Sequence, residues 1–134
     1  MRKKNKIISI VFICMLISLL PVSWLWRKYR DTDIKDNSKY AIGQIKKLTS
    51  SLKSGNQWLF EFKYNGKTYE SYRSTHVDFS VNKDDYFLVN FSSKNPSHCK
   101  ILYEYKLNDD KNNFIDTTWD TIPRSILHTS YKGD

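Results

Sequence analysis

The pattern of apolar and polar positions divides the chain into one long apolar run and a series of short alternations. Residues 7–26 begin at Ile7, end at Trp26 and include no charged side chain. A helix over this run rises about 30 Å, the thickness of a bilayer's hydrocarbon layer. Pro21 lies inside it; a membrane helix tolerates proline where a soluble one breaks. Trp24 and Trp26 fall at its far end, where indoles favour the headgroup level, and Arg27, Lys28, Tyr29 and Arg30 close it. After residue 30 the pattern turns to period two. In residues 57–64, Trp58, Phe60, Phe62 and Tyr64 alternate with Leu59, Glu61 and Lys63, and Asn65-Gly66 follows. Asn-Gly supplies the two positive-φ residues of a type I′ turn, which predicts a β-hairpin over residues 57–74. A lone hairpin is marginal in water, so the aromatic face must be covered by the rest of the chain.

Further strands are predicted on either side. Residues 39–48 (KYAIGQIKKL) read as a strand with a bulge near Gly43. Residues 75–85 are irregular and end in the turn cluster Asn82-Lys83-Asp84-Asp85. Residues 86–91 (YFLVNF) are an almost unbroken run of β-formers, as in a strand buried on both faces. Lys94-Asn95-Pro96 is a turn; residues 99–107 then place Ile101, Tyr103 and Tyr105 on one face of a half-buried strand. The tail from Phe114 is expected as an extended strap carrying Trp119 and Ile122-Pro123, with a short helical turn at Ser125 as the alternative. About five strands and no soluble helix predict a mainly β fold: an N-terminal transmembrane helix followed by one small β-barrel-like or rolled antiparallel sheet domain. The expected divisions are a basic flank and signal-anchor over 1–30, a linker over 31–38, the β domain over 39–113 and a C-terminal strap or tail over 114–134.

Charge changes this picture in one respect. The formal net charge is +8. Residues 1–30 hold seven basic groups and no acid, so the rest of the chain carries 15 basic groups against all 14 acids. The β domain is therefore nearly neutral, and the basic balance loses its force as an argument for nucleic acid. An aromatic share of 15% suits a strand-rich chain and not a disordered one. Three processing outcomes compete for the N-terminus. Pro21-Val22-Ser23 is a poor signal-peptidase site, and Ile13 stands before Cys14 where a lipoprotein signal needs a small residue, so a retained signal-anchor is expected. The basic flanks are nearly balanced; because the segment begins like a signal peptide, the β domain is expected on the outer, periplasmic or extracellular, side.

The order of features resembles a group of small bacterial membrane-anchored proteins without an assigned function. The resemblance rests on Tyr40-Ala41-Ile42-Gly43-Gln44-Ile45, on the hairpin Phe62-Lys63-Tyr64-Asn65-Gly66-Lys67-Thr68-Tyr69, on residues 86–91 running into Ser92-Ser93-Lys94-Asn95-Pro96, and on Ile122-Pro123-Arg124-Ser125-Ile126. It implies a small β domain behind an anchor and brings no activity or site residues. The long aromatic ending after Asn113 departs from the group.

Candidate chemistry is sparse. His98-Cys99 is the one adjacent pair of metal- or nucleophile-capable side chains, but Cys99 is the only cysteine outside the apolar run, and His76 and His128 stand apart from it in sequence. A structural zinc site wants four closely spaced ligands, and a buried strand cysteine is ordinary. Cys14 and Cys99 are not expected to pair. Asp84-Asp85 and Asp109-Asp110 sit among Asn and Lys, as solvated turns do. No phosphate loop, dinucleotide fingerprint or hydrolase motif occurs. The row Trp58, Phe60, Phe62, Tyr64 is expected as core, with a base-stacking platform as the alternative. Tyr69, Tyr72, Tyr103 and Tyr105 suit either cross-strand packing or a protein interface.

The sequence thus assigns no catalytic, cofactor-binding or metal residue. It points to a non-enzymatic, membrane-anchored module of the bacterial envelope with a protein partner, of accessory or immunity type, which meets the bilayer through residues 7–26. The alternatives are a nucleic-acid or oligosaccharide-binding barrel using the aromatic face, and an enzyme using Cys99 with His98 or His76.

Overall fold

The computed structural model describes residues 2–75, 79–107 and 114–126. The elements are a helix α1 (Arg2–Asp36), strands β1 (Ser38–Ser51), β2 (Gly55–Tyr64), β3 (Lys67–Ser74), β4 (Tyr86–Ser92), β5 (Cys99–Lys106) and β6 (Thr118–Trp119), and a 3₁₀ turn at Arg124–Ile126. Two compact units divide the chain, Met1–Thr32 and Asp33–Asp134.

In the first unit α1 is long and apolar enough to cross a membrane, with Pro21 inside it. Its large apolar side chains, among them Phe12, Leu20 and Trp24, are exposed. The hydroxyls of Ser18 and Ser23 donate to the carbonyls of Met15 and Leu20, which satisfies them within the helix itself. Residues 31–36, expected as part of a linker, are helical, and one residue separates α1 from β1. Their polar composition suggested a linker, but Ile34 is buried at 3% exposure and Asp33 is hydrogen-bonded, so packing fixes the last turn as helix.

The second unit is one antiparallel sheet in the order β3-β2-β1-β4-β5, with β6 paired to β1. The sheet is mainly β as expected, but it is not closed into a barrel: no backbone ladder joins β3 to β5 among the described residues. The two edges meet instead through side chains. Arg73 donates to the Ile101 carbonyl, the Tyr103 hydroxyl donates to the Ser74 carbonyl at 3.4 Å, and the Arg73 guanidinium lies 5.2 Å from the centre of the Tyr103 ring.

β1 organises the sheet because it serves several partners in turn. Its first half pairs with β4 from Ser38↔Ser92 to Gln44↔Tyr86, and its second half pairs with β2 from Gly43↔Phe62 to Ser51↔Gly55. β6 takes Tyr40 and Ala41 at the opening end. Gly43 sits where the two ladders overlap; a Cβ there would collide with the Val89 side chain, so the glycine serves close strand approach. The bulge itself falls between Ile45 and Lys47, two residues beyond the expected position.

The predicted hairpin is present. Asn65 and Gly66 have φ of 51° and 73°, as a type I′ turn requires, and the ladder runs from Tyr64↔Lys67 to Gln57↔Ser74. Phe60 and Phe62 join Ala41, Ile45, Phe87, Val89, Phe91, Cys99, Ile101 and Tyr103 in one buried cluster, with Trp58, Tyr64, Tyr69, Phe79 and Val81 packed around it. The opposite face holds Ile42, Leu88 and Leu107, covered by Phe114, Trp119 and Ile122 of the C-terminal strap. β4 is therefore buried on both sides, as its continuous apolar run predicted. One expectation fails in β5. Tyr105 packs on the strap side, away from Ile101 and Tyr103, because the register slips: Leu88 faces Leu102 while Phe87 faces Lys106.

Candidate functional site

A polar cluster of the β unit forms where the last turn of α1 meets the turn between β4 and β5. Asp33 reaches the cluster because Ile34, its neighbour, is drawn into the core. His98 reaches it because the turn after β4 is wound tightly: Ser92 N–H donates to the His98 carbonyl at 3.0 Å and His98 N–H donates to the Asn95 carbonyl at 2.9 Å. The two side chains meet with His98 Nδ1 at 2.7 Å from Asp33 Oδ2. Both are shielded from solvent, with side-chain exposures of 8% for His98 and 13% for Asp33.

Further hydrogen bonds tie the cluster together. Asn37 Nδ2 donates to Asp33 Oδ1 at 2.9 Å, and Asn37 N–H closes the helix end on the Asp33 carbonyl at 3.0 Å. Ser93 N–H in turn donates to the Asn37 carbonyl at 2.9 Å. The Ser92 hydroxyl, fully buried, receives the N–H groups of Lys94 and Asn95 at 3.3 Å and 3.2 Å. The His98 hydrogen bond is the chief cause that holds the Asp33 carboxyl below the usual carboxylate range; burial opposes it, and the bonds from Ser92 and Asn37 assist. On the far side of the ring, Asn95 Nδ2 lies 3.3 Å from His98 Nε2. Asn95 Oδ1 already accepts from Ser97 N–H at 3.3 Å, so the amide turns its donor toward the ring. Nε2 is then an acceptor, which assigns the Nδ1–H tautomer donating to Asp33.

A carboxylate on Nδ1 is the arrangement that orients a catalytic histidine, with Nε2 left to meet a nucleophile. Here Nε2 meets a carboxamide. Within the second unit, the charge-assisted Asp33–His98 bond is a clasp that ties residues 33–37 to the turn between β4 and β5. Sequence reading singled out His98 but coupled it to Cys99. The structure couples it to Asp33, 65 residues away, and places Cys99 in the aromatic core at 7% exposure. No short motif signals such a pair, and Asp33 is one of three aspartates, with Asp31 and Asp36, in the polar stretch after the apolar run.

The other candidates fall as follows. Asp84 and Asp85 form a turn: Asp84 has a φ of 69°, Asn82 N–H donates to Asp85 Oδ2 at 3.0 Å, and Lys106 Nζ pairs with the same oxygen at 3.1 Å. Of the aromatic row, Phe60 and Phe62 are buried at 1% exposure each, as expected for core, and Trp58 and Tyr64 are half-buried against that cluster. Tyr69 is half-buried beside Phe62, Tyr103 is buried and Tyr72 is 55% exposed. His76, Asp109, Asp110 and His128 lie outside the described residues. Among the described residues no group of three or more His, Cys, Asp or Glu side chains is placed to hold a metal ion.

No family model, curated protein or solved structure matches the chain.

Proposed function

We propose that the chain is a single-pass, membrane-anchored protein whose β domain works without catalysis, as a binding module for a protein partner on the outer side of a bacterial envelope. An accessory subunit or an immunity-type protein fits this description. The observation that carries the reading is α1 itself: an uncharged run over residues 7–26, its apolar side chains fully presented to the surroundings, bounded by basic residues and by Trp24, Trp26 and Tyr29. Exposed apolar surface of that extent is tolerated only in lipid or at an interface. His98 presents Nε2 to the Asn95 amide, which supports a binding role over an enzymatic one.

Full-length tagged protein, expressed in a bacterial host, tests the reading by fractionation, protease accessibility in intact cells and photocrosslinking from exposed β-domain positions such as Leu48, Tyr72 and Lys94. The reading expects membrane retention, protease cleavage of the β domain from outside, and a discrete crosslinked protein. A soluble product, or a membrane product that crosslinks only to lipid, contradicts it.

A further inference from the structure

The second half of β1 ends in an edge with a composition unlike the rest of the sheet. On the side away from β2, the β4 ladder stops at Gln44, and the turn before β4 adds two more bonds: Ile45 N–H to the Asp85 carbonyl and Asp84 N–H to the Ile45 carbonyl, both at 2.9 Å. Beyond Ile45, Lys46 falls at the register shift and residues 47–51 pair only with β2 among the described residues. The β1–β2 arm there carries Lys46, Lys47 and Lys53 and no acid over residues 46–60. Lys46 is spent on Glu61 at 2.6 Å, while Lys47 and Lys53 are exposed. Among the described residues, two of the three large apolar side chains exposed outside α1 are on this arm: Leu48, 50% exposed beside the edge, and Leu52, fully exposed at the hairpin tip.

An open edge is a template for another strand, and lysines on it are the usual defence against self-pairing. Defence alone does not place Leu48 and Leu52 in solvent. The same lysines that repel a second copy of this basic arm attract an acidic chain. We infer that the edge formed by residues 46–51 accepts an extended acidic peptide segment of the partner as an added strand, with backbone hydrogen bonds supplying the pairing, Lys47 and Lys53 selecting for acid, and Leu48 and Leu52 meeting its apolar side chains. This names a surface and a partner chemistry for the binding role proposed above and rests on that role.

The test uses the full-length protein in mild detergent and a short fluorescein-labelled peptide of alternating Glu and Val. The peptide binds saturably, and binding weakens as salt rises. In the Lys47→Glu/Lys53→Glu variant, shown by circular dichroism to keep the wild-type spectrum, affinity falls about tenfold, as two reversed rim charges would give. The reversed variant instead takes a Lys/Val peptide, which the wild type rejects. N-methylation of alternate peptide residues, leaving every side chain in place, abolishes binding. No saturable binding, binding indifferent to charge reversal, or equal binding of the N-methylated peptide overturns the inference. So does a Leu48-dependent homodimer or Leu48-dependent binding to anionic phosphatidylglycerol vesicles in place of the peptide. A partner that crosslinks from Tyr72 or Lys94 while the peptide fails leaves the binding module standing and removes this surface from it.

Discussion

The Asp33 carboxylate and the His98 imidazole meet at 2.7 Å, joining the last turn of α1 to the turn that follows β4. The sign of its pH dependence follows from the lowered Asp33 value. A carboxyl held below its usual range contributes stability above that range, and the contribution is lost as pH falls through the depressed value. Thermal melts of the wild type and of Asp33→Asn, followed by near-ultraviolet circular dichroism in mild detergent, therefore differ at neutral pH, with the variant less stable. The two converge as the pH is taken below the ordinary carboxylate range of about 4. A constant gap across that range contradicts the clasp.

Tyr103 is the alkaline counterpart. Burial pushes its hydroxyl up to about 12, and the nearby Arg73 guanidinium only partly opposes this. Here the folded value is raised, so stability is complete below the unfolded tyrosine value of about 10 and declines as pH rises through 10 toward 12. Spectrophotometric titration of the native protein shows one phenol ionising late, together with loss of native circular dichroism. Tyr103→Phe removes that late component. A titration in which every tyrosine ionises together near 10 contradicts the burial.

Gly43 tests the meeting of the two ladders on β1. Gly43→Ala forces a methyl against Val89, and overpacking of this kind costs about 1–3 kcal/mol. Pairing it with Val89→Ala recovers part of the loss, because the two substitutions share one space. Equal and additive losses in urea titrations of the single and double variants contradict the close approach.

The two sides of the hairpin separate by burial. Phe62→Ala, at 1% exposure and stacked 5.6 Å from Tyr69, costs about 3–5 kcal/mol. Tyr72→Ala, on the exposed face of β3, changes stability by no more than about 0.5 kcal/mol. Urea midpoints measure both.

These residues also show what the sequence could and could not convey. The hairpin was legible because Asn65-Gly66 and the Trp58-to-Tyr64 alternation are local signals, and β4 was legible because burial on both faces leaves no polar period. The open sheet was not: five short strands suit a closed barrel and an open sheet alike, and here the edges are joined by Arg73 and Tyr103 side chains in place of a ladder. Tyr105 was misplaced because a register slip is set by the partner strand and leaves no mark on the alternation of β5 itself. The clasp was half legible. His98 stood out, but Asp33 is 65 positions away and takes its role only when the helix runs on past the apolar segment.

The central claim is that residues 7–26 remain on the protein and hold it in the bilayer. Alkaline carbonate extraction of membranes expressing the full-length chain, followed by intact-mass measurement of the recovered protein, tests it most directly. The account predicts a membrane-pellet product at the uncleaved mass of 16.0 kDa. A product released by carbonate, or one shortened by loss of the apolar segment, contradicts it.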